Sequence, residues 1–195
     1  MQYDVIVVGV GGMGSAALLH AARRGARVLG LEQFDISHDR GSSHGQTRII
    51  RLAYWEHPSY VPLLRRAYEL WRELEQLSQQ TLLVTTGSID AGPADERPIR
   101  GVLDACRQFD LPHETLAAAS LRRRFAGYQL PDDLVAVFQP QGGFLLPERA
   151  VVAHAEAATR LGAIVRINEL SSVGRPPPIT SSCARRDRAT PRVGS

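Results

Sequence analysis

Gly9, Gly11 and Gly14 fall at the spacing G-x-G-x-x-G, directly after the apolar run Val5-Ile-Val-Val8. The first glycine of such a set permits a tight turn. The second lets the backbone approach a pyrophosphate, and the third lets a helix pack closely on the strand. The helix that follows offers free N–H groups at its N-terminus to the same phosphates. Glu32 comes about 18 residues after Gly14, closing a second apolar run, Ala26-Arg-Val-Leu-Gly-Leu31. An acid at that place binds ribose hydroxyls. A lone glycine pattern is weak evidence, since glycine turns are common. Strand, glycines, helix and acid in this order make a dinucleotide-binding fingerprint, which by itself leaves NAD and FAD both open.

The next segment narrows the choice. Residues 33–51 are polar, glycine-punctuated and too long for an ordinary strand-to-helix turn. Loops of this length on a rigid scaffold are often functional. Ser42, Ser43 and Thr47 supply hydroxyls, while His44, Arg48 and Arg51 supply positive charge. A cation helps stabilise a reduced, anionic isoalloxazine ring, so the loop favours a flavin. The plainer readings are surface charge for the two arginines and a hydrogen-bonding turn residue for His44. Two rival functions stand beside the flavoenzyme: an NAD-dependent dehydrogenase fragment, and a non-enzymatic remnant of an oxidase gene.

The runs V-I-V-V-G-V-G-G-M-G-S-A, L-E-Q-F-D, G-S-S-H-G-Q-T-R-I-I-R and Y-V-P-L-L-R-R-A-Y-E-L-W carry a resemblance, and so does Phe138-Gln-Pro-Gln-Gly-Gly-Phe144. Over about residues 3–169 the chain resembles the N-terminal part of the monomeric sarcosine oxidase and N-methyltryptophan oxidase family. The S-S-H-G-Q-T-R-I-I-R run is the specific part. The resemblance implies a Rossmann-like FAD-binding domain interleaved with part of a strand-rich substrate domain. It implies oxidation of the C–N bond of a small secondary amino acid, with electrons passed to O2 to give hydrogen peroxide. It places His44, Thr47 and Arg48 near the flavin ring, His44 and Arg48 as catalytic residues, and Arg51 against the substrate carboxylate. The expected cofactor contacts are Gly9, Gly11, Gly12, Met13, Gly14, Glu32, Gln33, Ser42, Thr47 and Arg48. The family's oxygen-activating lysine has no counterpart, because all 23 basic residues are arginine. Neither Cys106 nor Cys183 matches the family's flavin-linking cysteine, so a covalent flavin is not expected. Truncated in this way, the chain is expected to be inactive alone.

The elements that must position these residues alternate as an α/β framework. A strand over about 3–8 feeds a helix over about 13–24, ended by Gly25, and a strand over about 27–31 follows. A long helix from Pro58 to Leu77 carries apolar residues at i, i+3, i+4 and i+7, which reads as core packing rather than a cofactor wall. Residues 82–90 read as strand with a turn. Helices are expected at about 95–109 and 118–125, a β-hairpin at 135–145 around Pro140-Gln-Gly-Gly143, a helix at about 148–161 and a strand at 163–167. The expected division is 1–80 FAD-binding core, 81–147 partial substrate-domain segment, 148–170 return to the FAD domain, and 171–195 tail.

Composition bounds the rest. A hydrophobic content of 44% supports a real core. No run approaches the length of a membrane span, and no signal-peptide pattern precedes the first strand, so a cytoplasmic location is expected. The expected oligomeric state is a monomer. The net charge is +3, but residues 171–195 hold five arginines against one aspartate and leave the rest nearly neutral. No nucleic-acid partner is therefore expected. The histidines show no metal-ligand spacing, so no metal is expected. Residues 171–195, rich in Pro, Ser and Arg and without period, read as a disordered or out-of-frame tail.

Overall fold

The computed structural model describes residues 2–169. The expected tail lies outside them, as does Cys183. In chain order the elements are β1 Val5–Val8, α1 Gly12–Arg23, β2 Val28–Leu31, β3 Arg48–Ile50, α2 Tyr60–Ser78, β4 Leu83–Thr85 and β5 Ser88–Gly92. Then come α3 Arg97–Gln108, β6 Glu114–Ala117, α4 Ala118–Arg124, β7 Val135–Gln139, β8 Gly143–Leu145, α5 Pro147–Arg160 and β9 Ile164–Arg166. The mixed α/β fold read from the sequence is the fold observed.

Three small sheets organise the described residues: β1-β2-β9 parallel, and β3-β8-β4 and β5-β7-β6 antiparallel. In the parallel sheet Val8 faces Leu31 in register, which sets the glycine turn beside Glu32. Helix α1 packs on this sheet, and α5 packs on α1. Both helices present small residues to the contact: Ala22 on α1, and Ala153, Ala157 and Ala158 on α5, are buried together. Small side chains let the axes approach closely, so α5 brings β9 back against β2.

A second core gathers Val61, Ile99, Val102, Ala105, Cys106 and Val137. Helix α2 serves both cores. Leu74 and Trp71 reach the first, and Val61, Leu64 and Tyr68 the second. Its apolar stripe is core as expected at these positions, but Tyr60, Leu63 and Leu77 are exposed.

The expected hairpin at 135–145 does not form. Strand β7 pairs with β5 and β6, whereas β8 pairs with β3 and β4. The chain crosses from one sheet to the other between them, and it does so again between β4 and β5. The two crossovers are bonded to each other, with Thr86 N and Gly87 N both donating to Gly142 O at 3.2 and 2.8 Å. A Cβ at Gly142 would lie 2.9 Å from Ser88 N and closer still to the Ser88 side chain, so the approach requires glycine. Strands β3 and β6 were not expected at all.

His154 is buried on α5 between the helices. Its Nδ1 lies 2.9 Å from Ala150 O, and Trp71 meets it edge-on at 5.5 Å. Burial is the main cause that lowers its pKa to about 4, helped by the charges of His20 and Arg23 and opposed by the Ala150 contact. The unfolded chain therefore takes up this proton first as pH falls. Stability attached to His154 is complete above pH 6.5 and is lost progressively towards pH 4. The full loss is about 3 kcal/mol. His154→Phe should flatten the pH dependence of urea stability in that window, and an unchanged slope would remove His154 as its source.

Candidate dinucleotide cleft and the loop beside it

The turn between β1 and α1 forms one wall of a cleft of about 700 Å³. Gly9 has φ +84°, a conformation that side chains rarely adopt. A Cβ at Gly14 would fall 1.8 Å from Gly9 O, so the first turn of α1 sits directly on the preceding loop. The expected residues Gly9, Gly11, Gly12, Met13, Gly14, Glu32, Gln33 and Ser42 all line this cleft. The first free N–H of α1, on Gly12, already meets an oxygen acceptor, Ser43 Oγ, at 3.0 Å. The absent Gly12 side chain admits Ser43 Oγ to this N-terminus, so a phosphate oxygen would take the place that Ser43 Oγ now holds. The donor set and the glycine approach therefore fit a dinucleotide pyrophosphate.

Glu32 is only 5% exposed. Val10 N donates to its Oε2 at 2.7 Å and Phe34 N to its Oε1 at 3.1 Å. His38 Nε2 lies 3.3 Å from Oε1. The carboxylate thus ties the glycine turn to the end of β2 and to the start of the polar loop. An ionised carboxylate accepts about four hydrogen bonds, so acceptor capacity remains for a ribose. Ser43 was read only as one of the loop hydroxyls and not as a cofactor contact, and His38 carried no spacing signal that could have shown its place.

His44 and Thr47 lie on the loop beside the cleft, and Arg48 is the first residue of β3; all three are outside the cleft lining. Arg48 donates to Thr47 O and Ser42 O, each at 2.8 Å, and also to His44 O. Its guanidinium therefore closes the loop on three main-chain carbonyls. His44 Nδ1 contacts Gly41 O. Gly45 N donates to Glu148 Oε1 at 2.8 Å, which anchors the loop to the first turn of α5.

Arg51 stands apart from these, one residue past β3. Its Nε lies 3.4 Å from Asp90 Oδ1 on β5, and its Cζ sits 4.4 Å from the centre of the Tyr54 ring. Asp90 also accepts from Gln139 Nε2 at 2.9 Å. Burial, above all, pushes the Asp90 carboxyl up from the usual range, with Glu56 adding to it, while Arg51 and Gln139 oppose the shift. Asp90 was read only as part of a strand, although a charged residue in a short apolar run was a usable signal. Cys106 is buried as expected, and burial raises its thiol to about 11. Among the described residues no acid, histidine and cysteine cluster could hold a metal, and no helix is long and apolar enough to cross a membrane.

The sequence pattern of the family described as FAD dependent oxidoreductase matches residues 4–188. The chain is 48% identical over 167 residues to a monomeric sarcosine oxidase of Streptomyces avermitilis, covering 86% of this chain and 44% of that one. It is 39% identical over 168 residues to an N-methyl-L-tryptophan oxidase of Yersinia pestis, covering 86% and 45%. The chain thus spans under half the length of these relatives. Among solved structures it is similar to the open form of NikD, an unusual amino acid oxidase essential for nikkomycin biosynthesis, with TM-score 0.76, 32% identity, and coverage of 85% and 43%. An L-proline dehydrogenase from P. horikoshii shares the fold, with TM-score 0.71 at 20% identity.

The Glu32 geometry has a consequence without any ligand. Glu32→Gln places an amide donor against Val10 N–H or Phe34 N–H in a buried site. The cost should be about 1–3 kcal/mol of stability in a urea titration. A neutral substitution would show that the carboxylate does not tie the turn to β2.

Proposed function

The chain belongs to the FAD-dependent oxidoreductase family, and on that premise we propose that it is the FAD-binding portion of an N-methyl (secondary) amino acid oxidase. The FAD dependence of the family sets aside the NAD-dependent dehydrogenase reading. One observation carries the proposal furthest: the glycine turn, the α1 N-terminus and Glu32 converge on a single cleft with the S-S-H-G-Q-T-R loop folded beside it. The similarity to sarcosine and N-methyltryptophan oxidases supports the substrate class.

Gly9, Gly11, Gly12 and Gly14 would admit the pyrophosphate to the α1 N-terminus, and Glu32 would hold the adenosine ribose. Met13, Gln33 and Ser42 from the cleft lining, and Thr47 and Arg48 from beside it, would complete the cofactor contacts. When bound, FAD supplies the two-electron acceptor for C–N oxidation, with O2 as the final acceptor and hydrogen peroxide as product. Arg48 and His44 provide the polar edge of the site, Arg48 chiefly by fixing the loop on its own carbonyls. Arg51 binds the substrate carboxylate, because a guanidinium fork matches two oxygens. The enzyme acts as a cytoplasmic monomer on this reading. Residues 1–80 and 148–170 form the FAD-binding part, and residues 81–147 belong to the substrate part.

Among the described residues β1 is an edge strand of its sheet, and Ile6 and Val8 are 50% and 56% exposed. The cleft is therefore walled on one side, and the isolated chain should bind FAD weakly, non-covalently and without turnover of N-methylglycine. Quenching of flavin fluorescence on titration measures this. Arg48→Ala should lower the FAD affinity by roughly tenfold, or about 1.4 kcal/mol, and should open the loop at 42–48 to proteolysis. Absence of any flavin binding would sink the proposal and favour the non-enzymatic remnant. Flavin that stays attached after denaturation would overturn the non-covalent assignment.

A further inference from the structure

Arg51, read above as the partner of a substrate carboxylate, is not a free cation. Its Nε lies 3.4 Å from Asp90 Oδ1, and both side chains are only 19% exposed. The Nε–H is buried and finds no aligned hydrogen bond, so charge rather than a directed bond holds the pair. Asp90 cannot readily swing away. It sits in the middle of β5, and its second oxygen accepts from Gln139 Nε2 at 2.9 Å. Gln139 is 3% exposed and is itself fixed to Ala53, accepting from its N–H at 2.9 Å and donating to its carbonyl at 3.3 Å. Tyr54 covers the guanidinium at 4.4 Å.

A carboxylate that arrives at Arg51 therefore meets a fixed negative charge already paired with the same guanidinium. In a partly dry site that repulsion is poorly screened. We infer that Asp90 is a specificity-determining residue, a built-in counter-carboxylate that lowers the affinity of Arg51 for an incoming carboxylate. Only a ligand whose other contacts offset the repulsion is then retained, and simple organic acids are turned away. The inference rests on the reading of Arg51 as the carboxylate partner.

The test uses the whole chain, Asp90→Asn, and sodium acetate as probe, with sodium chloride at equal ionic strength as control. Asparagine keeps an oxygen for Gln139 but removes the charge, which leaves Arg51 uncompensated. The variant should melt at a lower temperature than the unaltered chain. Acetate should raise its melting temperature with a half-effect at a concentration about tenfold lower than in the unaltered chain. The gain should vanish in Asp90→Asn combined with Arg51→Met. If Asp90→Asn does not fold in dilute buffer, acetate must restore refolding from urea at a lower concentration than chloride. Equal half-effects in the two proteins, a gain that survives Arg51→Met, or refolding indifferent to the anion each overturn the role of Asp90. An unaltered chain whose acetate effect depends on Arg51, with no gain in the variant, overturns Asp90 alone. Acetate effects independent of Arg51 in both proteins overturn the carboxylate reading as well.

Discussion

The structure depends on one close approach, that of α1 to the loop that feeds it. Gly14 touches Gly9 so tightly that even a methyl group would fall inside the carbonyl oxygen. This contact aims the α1 N-terminus at the cleft and sets α1 on β1 and β2. The other placements follow from it. With α1 in place, its small face accepts the alanines of α5, and α5 leads the chain into β9 beside β2. The loop after β2 is then held between the α1 N-terminus, through Ser43 and Gly12, and the first turn of α5, through Gly45 and Glu148. A substitution at the turn would therefore be felt in the cleft, the helix pair and the polar loop together.

The chain carries its positive charge entirely as arginine, and the structure uses the donors of that group as much as its charge. Arg65, Arg72 and Arg122 donate to the main-chain carbonyls of Phe109, Leu83 and Leu130, and Arg48 does so three times within its own loop. A planar guanidinium with five fixed donors suits such bracing better than an ammonium does. The ion pairs on exposed faces, such as Arg66 with Glu69 or Arg107 with Asp104, matter much less to stability, since water screens them. Arg51 and Asp90 differ in kind, because the pair is mostly shielded and joins the strand after the loop to the second antiparallel sheet.

Much of the element list was legible. The apolar strands, the small-residue helix after the glycines, and the helices at 97–108 and 147–160 lie within a few residues of their expected places. The glycine spacing and Glu32 led to the cleft because both are local patterns read over short stretches. The polar loop stood out by its length and composition, but its detail was not legible. It conceals β3, whose Arg48-Ile-Ile50 forms a strand only because β8 pairs with it from almost a hundred residues away. The hairpin failed for a related reason. A turn-like Pro-Gln-Gly-Gly between two apolar runs can return the chain to its own sheet or hand it to another, and only the partners available decide which.

By itself the sequence determined the family, the α/β class, the glycine turn and the acid that closes it. These rest on residue types at fixed short spacings, where sterics and hydrogen-bonding capacity leave little freedom. Tertiary structure alone decided which strands share a sheet and that Glu32 is a buried tie as well as an available acceptor. It also decided that Arg48 braces its own loop and that Arg51 arrives already paired with Asp90. Arg48 reaches carbonyls within six residues of itself, whereas the strand pairing, the Val10–Glu32 bond and the Arg51–Asp90 pair depend on groups far apart in the chain meeting at a few ångströms. The contact is set by the packing of helices and sheets on their cores, and no local pattern of residues records it.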